Sequence, residues 1–349
     1  MHRHFAYRAL GLFGLMVAMA AGGGSASGAA VQSVGAINVG QPLTRIVADP
    51  VRGKVYGFAD NGDVVFMDRS TLSVTQTIHT GRALTDIDVA SDGSFMTVLD
   101  NVTRSYWGQP PAVYVLKYNL NTQAQSGISF VQSPLYTMAL GRSDRYVGVG
   151  LNQWVNVYQA NASTGSQLST AGGGYNGSMD SANVTLLSNS TGTRMYRTET
   201  GISSIDLLAF DTSTDTITGI GGRGVGSYST VPLFLNSSDS SLYVGNTRVD
   251  PNNISQTLGV FPENIYAATA DDSLAFGQNN VYDPTWGNII QPMPFHSTQL
   301  TIGDNGHYLY AWDGANNRVQ VMSIPEPGTV SLLGAGALLL AGRRRRRRA

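Results

Sequence analysis

One short pattern recurs seven times along the chain and limits the folds that it can adopt. In each copy an apolar run is followed by a tight turn of Asp, Asn, Ser and Gly, and then by a run rich in Tyr, Phe and Val. These turn residues tolerate left-handed backbone or bond their own backbone, and the flanking runs alternate partly with period two, so each copy predicts a β-hairpin. The copies are IVADPVRGKVYGFAD, IDVASDGSFMTVLD, MALGRSDRYVGVG, TLLSNSTGTRMYRT, FLNSSDSSLYVG, AATADDSLAFG and LTIGDNGHYLYAW.

A second pattern follows most of the hairpins. An apolar strand ends in Asp or Asn, a turn rich in Thr and Ser comes next, and another strand begins, as in VVFMDRSTLSVTQTI and LLAFDTSTDTITGI. The Asp or Asn side chain is expected to cap the turn through hydrogen bonds to the backbone. The expected caps are Asp68, Asn119, Asp211, Asp250 and Asp283.

Two hairpins supply four strands, which is the content of one blade of a β-propeller. When a looser copy, VNVYQANASTGSQL, is included, the capped turns recur at spacings of about 32 to 52 residues, close to the period of blade repeats. The last copy offers only three strands before Ile324, whereas VQSVGAINVG, at residues 31–40, is similar to the outer-strand segments. We therefore predict an all-β, seven-bladed β-propeller over residues 31–324, closed by its N-terminal strand. Six or eight blades, or a pair of β-sandwiches, are the alternatives.

Turns such as SDGS followed by an aromatic-containing strand resemble those of YVTN-type and related bacterial seven-bladed β-propellers. The resemblance extends over residues 31–324 and implies the same ring of blades. Two stretches depart from the pattern: an insertion, NVTRSYWGQPP, in the second blade, and an irregular segment between residues 172 and 181 in the fourth.

Composition supports a β-rich fold and excludes several kinds of site. Charged residues make up 13% of the chain, against roughly 25% in average soluble domains. Without its two ends the body has a net charge of about −8, which argues against a nucleic-acid surface. The chain has no cysteine, so disulfides, thiolate zinc sites and cysteine nucleophiles are excluded.

The first 30 residues have the layout of a secretory signal peptide. Arg3 and Arg8 begin the segment, an apolar stretch covers residues 9–20, and small residues continue to Ala30. A basic start, an apolar core and a small-residue cleavage region are typical of export signals that are removed. We therefore expect a signal peptide at residues 1–30. An N-terminal membrane anchor is the alternative.

A three-part tail occupies residues 325–349. Pro325, Glu326, Pro327 and Gly328 come first, and because proline lacks an amide donor, strand pairing should stop there and leave extended, accessible backbone. Residues 329–342 are apolar, uncharged and shorter than an ordinary spanning helix, and the arginines after them should stay on the cytoplasmic side. The arginines expected to stop transfer are Arg343, Arg344, Arg345, Arg346, Arg347 and Arg348.

This tail resembles the PEP-CTERM sorting signal of Gram-negative bacteria, on the Pro-Glu-Pro-Gly motif, the apolar run TVSLLGAGALLLAG and the terminal arginines. The resemblance implies a short C-terminal hydrophobic helix, a transient anchor in the inner membrane and processing by exosortase, an integral-membrane transpeptidase. It also implies release to the cell surface or the medium and an association with exopolysaccharide and biofilm. A permanent tail anchor is the alternative.

No residue of the body stands out as catalytic. Its histidines form no spaced pair of metal ligands, and its aspartates fall mostly at turn positions. We therefore predict a monomer with no catalytic residue, metal or cofactor. A lactonase-like propeller hydrolase, which would gather ligands for a central metal from several blades, is the alternative. The histidines are His79, His296 and His307.

Aromatic residues in the second-blade insertion suggest a ligand site. The exposed faces of Tyr106 and Trp107 could stack on sugar rings while neighbouring amides bond hydroxyls. The alternative is that Trp107 anchors the loop to the propeller. Trp286 lies in a different class of turn and is expected on the opposite side. Together these features predict a non-enzymatic surface or matrix module that binds polysaccharide or another protein.

Overall fold

The structure is a computed structural model that describes residues 31–101, 113–131, 135–150, 157–171, 184–200, 205–225 and 231–325. These residues contain 28 β-strands and no helix. The strands form seven four-stranded antiparallel sheets, each of which is one blade. The innermost strands contact one another in sequence around a circle, and the last contacts the first. The predicted seven-bladed β-propeller is therefore confirmed.

In each of the first four blades, the hairpin repeat supplies the first two strands and the capped turn joins the last two. Their bounds are β2 (Arg45–Ala48), β3 (Lys54–Phe58), β4 (Asp63–Asp68) and β5 (Ser73–His79) in blade 1; β6 (Leu84–Val89), β7 (Phe95–Asn101), β8 (Val113–Asn119) and β9 (Ala124–Val131) in blade 2; β10 (Leu135–Leu140), β11 (Arg145–Gly150), β12 (Val157–Asn161) and β13 (Gln167–Ala171) in blade 3; and β14 (Thr185–Ser188), β15 (Arg194–Thr200), β16 (Ile205–Asp211) and β17 (Thr218–Gly224) in blade 4.

The last three blades have the same order, except that the final blade borrows its outer strand from the N-terminal end of the body. The bounds are β18 (Leu233–Leu235), β19 (Leu242–Val244), β20 (Thr247–Asp250) and β21 (Asn253–Val260) in blade 5; β22 (Ile265–Ala268), β23 (Ala275–Gly277), β24 (Asn280–Tyr282) and β25 (Ile289–Pro292) in blade 6; and β26 (Leu300–Gly303), β27 (Tyr308–Asp313), β28 (Arg318–Ser323) and β1 (Gln32–Asn38) in blade 7.

Strand β1 closes the ring by pairing with β28. The pairing is antiparallel and runs from Gln32 opposite Ser323 to Asn38 opposite Arg318. The side chain of Ile37 is fully buried in blade 7. The closing role predicted for residues 31–40 is confirmed, and the edge of β28 is covered instead of being open to association.

The core is divided into seven apolar layers, one between each pair of neighbouring blades. Between blades 1 and 2, the ring of Phe66 packs edge-on against Tyr56 at 5.4 Å and Tyr118 at 6.2 Å between ring centroids. Between blades 7 and 1, Ile37 lies in one cluster with Met67. Because each blade is covered on both faces, its central strands are apolar on both sides, unlike strands of a sheet with one wet face.

The capped turns between the third and fourth strands are also confirmed. In each, the Asp or Asn oxygen accepts a backbone N–H two residues further along, which fixes the turn. The bonds are Ser70 N to Asp68 at 2.7 Å, Asn121 N to Asn119 at 2.9 Å, and Ser213 N to Asp211, Asn252 N to Asp250 and Thr285 N to Asp283, each at 2.8 Å.

A carboxylate in the first turn of blade 6 joins that blade to blade 5. Asp272 has a positive φ of 53° and pairs with Arg248 at 2.9 Å. It also accepts hydrogen bonds from the hydroxyls of Ser241 at 2.6 Å and Tyr243 at 3.1 Å, both on buried residues of blade 5. Its removal would leave buried donors without an acceptor, which costs more than the bonds themselves contribute.

Ring closure predicts different effects for two substitutions in β1. Ile37→Ala should lower the free energy of unfolding by about 3 kcal/mol because it opens a cavity in the layer between blades 7 and 1. Val34→Ala, on the same strand but 47% exposed, should change it by less than about 0.5 kcal/mol. Urea unfolding of both variants measures the difference, and equal effects would contradict closure by β1.

The polar link between blades 5 and 6 predicts a second contrast. Asp272→Ala should lower the free energy of unfolding by about 3 kcal/mol, since it removes the charge partner of Arg248 and the acceptor of two hydroxyls on buried residues. Asp271→Ala, next along the chain, removes only the local bonds to Ser273 and should cost roughly 1 kcal/mol. Chemical denaturation would disprove the inter-blade role if the two variants lost the same stability.

Candidate ligand-binding sites

A cavity of about 180 Å³ lies where the inner strands of blades 1 to 4 converge. Arg45 on β2, Asp88 on β6 and Met138 on β10 contribute to its wall, and blade 4 contributes Ser188 and the turn after it. The wall therefore combines one guanidinium and one carboxylate with hydroxyl, amide and backbone groups. This axial cavity is large enough for water or a small polar molecule.

The carboxylate of Asp86, beside the cavity, is already fully engaged. One oxygen pairs with Arg45 and accepts the N–H of Ile87 at 2.9 Å. The other accepts the hydroxyl of Thr137 at 2.6 Å and the N–H of Met138 at 3.0 Å. Asp86 is buried, so these contacts hold blades 1, 2 and 3 together at the axis and leave it little capacity for a ligand.

Asp88, two residues further along β6, faces the cavity. It accepts the N–H of Leu140 in blade 3 at 2.7 Å and that of Val89 at 2.9 Å. Burial raises the pKa of Asp88 to about 6, against the lowering effect of the Leu140 hydrogen bond and the Arg45 charge. Asp88 is half-buried and lines the cavity, and its enclosure among the inner strands is the desolvation that raises this pKa.

Within the described part of the chain, no three His, Asp or Glu side chains are grouped so that they could hold a metal ion. The ring of His79 lies beside Asp63 at the end of blade 1, outside the lining of the axial cavity. The charged groups that line the axial cavity are therefore the carboxylate of Asp88 and the guanidinium of Arg45, which is already paired with Asp86.

A second candidate site lies on the rim, at the turn between β24 and β25. Trp286 is 75% exposed there. The turn is held by Asp283, whose side chain accepts the N–H of Thr285 and whose carbonyl accepts the N–H of Gly287, both at 2.8 Å. Gly287 has a φ of +67°, a left-handed conformation that glycine adopts without strain. The indole is therefore presented on a fixed turn.

The neighbouring blade supports this turn. Arg248, the partner of Asp272, donates from Nη1 to the carbonyl of Pro284 at 3.1 Å. A Cβ on Gly287 would lie 3.0 Å from the carbonyl oxygen of Val260, so the turn abuts the end of β21. Val260 and Ile289 are 61% and 57% exposed. We call the exposed side chains of Val260, Trp286 and Ile289 the Trp286 platform.

Several residues singled out in the sequence cannot be placed. Tyr106 and Trp107 lie outside the described residues, as do residues 1–30, predicted as a signal peptide, Glu326 to Gly328 and the terminal arginines. Pro325 is described and follows Ile324, which is 8% exposed and donates its N–H to the carbonyl of His307 at 2.8 Å. Over the part of the chain that the structure covers, no helix is long and apolar enough to cross a membrane.

The Trp286 platform was not predicted as a binding site, although one signal for it was present. An Asp-capped turn of the form DPTWGN directs its central residues away from the sheet, so a tryptophan there should be exposed. Trp312, by contrast, lies on β27 and is buried, as its strand position suggests.

The raised pKa of Asp88 predicts a pH effect on stability. Because the folded state holds this proton more tightly than the unfolded chain, the contribution is complete below about pH 4 and is lost as the pH rises through 6. Asp88→Asn keeps an acceptor for Leu140 and cannot ionise, so relative to wild type it should gain on the order of 2 kcal/mol between pH 4 and pH 7. Urea unfolding at several pH values measures this gain.

Asp92→Asn is the matched control. Hydrogen bonds from Ser94 lower the pKa of Asp92, so its stabilising effect is present at neutral pH and is lost as the pH falls below about 4. This variant should be less stable than wild type at pH 7, and the deficit should shrink in acid. The same pH trend in both variants would contradict the assignment.

The C-terminal tail matches a known sequence motif, and the propeller body is similar to known structures. Residues 323–347 match the PEP-CTERM protein-sorting motif. The body is similar in fold to the hydrazine synthase of Kuenenia stuttgartiensis, with a TM-score of 0.61 and 11% identity over 81% of this chain and 95% of that one. It is also similar to the β-propeller domain of Cps50 (Swd1) from Myceliophteria thermophila, with a TM-score of 0.62 and 13% identity over 84% of this chain and all of that one.

At such identities the likeness concerns the fold alone. No curated protein matches the chain. The chain is thus a seven-bladed β-propeller that carries a PEP-CTERM sorting motif, which begins at the last residue of its final strand.

Proposed function

We propose that this protein is a non-enzymatic binding module of the cell surface or extracellular matrix, linked to exopolysaccharide or biofilm. The sorting motif implies export, handling by exosortase and a surface or extracellular location. The observation that carries the binding role is the exposure of Trp286, 75% of whose surface is open on a turn fixed by hydrogen bonds. A large exposed aromatic side chain on a rigid turn marks an interaction site.

The proposed route to the surface has three stages. Residues 1–30 direct export and are removed, and residues 329–342 then hold the protein in the inner membrane with the terminal arginines on the cytoplasmic side. Exosortase next acts at Pro325 to Gly328, and the propeller of residues 31–324 leaves the membrane as a monomer. The partners in this route are exosortase, the inner membrane for a limited time, and surface polysaccharide or protein.

Two aromatic sites compete for the binding role. Tyr106 and Trp107 lie in the connection between the second and third strands of blade 2. Trp286 lies between the third and fourth strands of blade 6. In an antiparallel blade these two kinds of connection leave from opposite ends of the strands, so we expect the two sites on opposite faces of the ring.

The axis gives less support to a hydrolase with a central metal. Asp86 already receives four contacts, and Arg45 places a positive charge beside Asp88. Within the described residues, no three His, Asp or Glu side chains are grouped so that they could hold a metal ion. The carboxylates at the axis therefore join blades rather than gather a metal.

The proposed processing predicts the mass of the mature protein. Intact-mass spectrometry of the protein from its own host should show a chain that begins near Val31 and ends within Pro325 to Gly328, with any attached group as added mass. Replacing Pro325, Glu326 and Pro327 together by alanine should retain the tail, whereas Val34→Ala should not. Full-length chains that keep Arg343 to Arg348 in the wild type would overturn the proposed route.

A further inference from the structure

We propose that the Trp286 platform binds an uncharged glycan by stacking a sugar ring on the face of the indole. This inference rests on the proposed binding function and names both its site and its ligand class. The platform is an apolar corner of the rim, where the Trp286 turn of blade 6 meets the end of β21 in blade 5.

The geometry suits a flat ligand with an apolar face. The C–H face of a sugar ring is apolar, and an indole offers a large apolar surface that loses little conformational freedom on binding, because its side chain has two rotatable bonds. Here the backbone is also fixed, by the Asp283 bonds on one side and by Arg248 on the other. Val260 and Ile289, on the two segments that meet at this corner, are further exposed apolar side chains.

The polar groups around the platform suit hydroxyls rather than charges. Strand β21 and residues 285–292 contain no charged residue. Gln256, Thr257, Thr285 and Asn288 are exposed along them and can donate and accept hydrogen bonds as sugar hydroxyls require. An anionic polymer would find no cation in these two segments to pair with and would meet the net negative charge of the body.

Arg223 does not change this conclusion. Arg223 lies on β17, the outer strand of blade 4, and its guanidinium reaches β21 of blade 5. Nη1 donates there to the carbonyl of Ile254 at 3.1 Å and to the hydroxyl of Thr257 at 3.2 Å. These bonds tie the side chain to β21, so it acts as a support for that strand. One cation engaged in this way does not make the rim attractive to a polyanion.

The strand edges beside the platform are poorly suited to a second copy of the chain. Strand β25 has four residues and ends in Pro292, and its pairing with β24 contains a register shift. Short edges, prolines and bulges prevent the addition of another strand. Three exposed apolar side chains also fall far short of the roughly 20–30 residues a side of a standard protein interface.

Affinity electrophoresis of the protein purified from its host tests the proposal. The gels contain hydroxyethylcellulose or dextran as uncharged glycans, alginate as an acidic one, or the exopolysaccharide extracted from the host. We expect retardation by an uncharged glycan, a Kd at least about tenfold higher in Trp286→Ala and an intermediate Kd in Trp286→Phe. Ile220→Ala, on the exposed rim of blade 4, and Trp107→Ala should bind as the wild type does.

The outcomes separate this inference from the function on which it rests. Binding that persists in Trp286→Ala, or binding to alginate alone, would overturn the platform and leave the proposed function in place. Loss of binding in Trp107→Ala alone would assign the site to Tyr106 and Trp107. A wild type that binds neither the uncharged glycans nor the host exopolysaccharide would overturn this inference and remove the proposed link to exopolysaccharide.

Two further measurements exclude trivial explanations. Because Trp286 is mostly exposed, Trp286→Ala should keep the wild-type Tm within about 2 °C, so loss of binding would not reflect unfolding. Sedimentation velocity should give a monomer for both proteins. A dimer that dissociates in Trp286→Ala would assign the platform to a second copy and overturn the proposal.

Discussion

The antiparallel pairing of β1 with β28 is the contact on which the rest of the structure depends. Each of the seven apolar layers needs a blade on both sides, so an open ring would leave one layer exposed to water. The pairing joins residues almost 300 positions apart in the chain, from Gln32 to Ser323. Such a contact carries a large loop-closure entropy, which the burial of apolar side chains between the blades must offset. The burial of Ile37 therefore contributes to the stability of the whole body.

Polar residues join the blades at places that the apolar layers do not reach. Asp272 receives hydroxyl and guanidinium donors from blade 5, and Asp86 connects Arg45 of blade 1 with the backbone of blade 3. Asp86 is buried and Asp272 half-buried, and each carboxylate is stabilised by several donors, which is the condition under which a charge is tolerated away from water. Arg248 has two roles: it pairs with Asp272, and it donates a hydrogen bond to the turn that carries Trp286. The candidate binding surface is thus supported by the same contacts that hold two blades together.

The hairpins, the capped turns and the closing strand could be predicted because their signals are local or countable. An Asp before Thr and Ser caps its own turn wherever the blade lies, and three strands in the last repeat require a fourth from elsewhere. The Trp286 platform and the axial cavity could not be predicted in this way. The surroundings of Trp286 come from Val260 and Arg248 in another blade, and the raised pKa of Asp88 comes from its enclosure by four blades. The YVTN subtype, the signal peptide and the site at Tyr106 and Trp107 stay predictions.

The sorting motif begins without any spacer after the folded body. Ser323 is paired with Gln32, and Ile324 is buried and bonded to His307, so free backbone starts no earlier than Pro325. An enzyme that needed several extended residues upstream of its cleavage point would have to detach β28 and open the torus. An enzyme that cut the tail from a folded propeller would therefore have to recognise residues downstream of its cleavage point. An enzyme that binds residues upstream of that point would have to act before the last blade is complete.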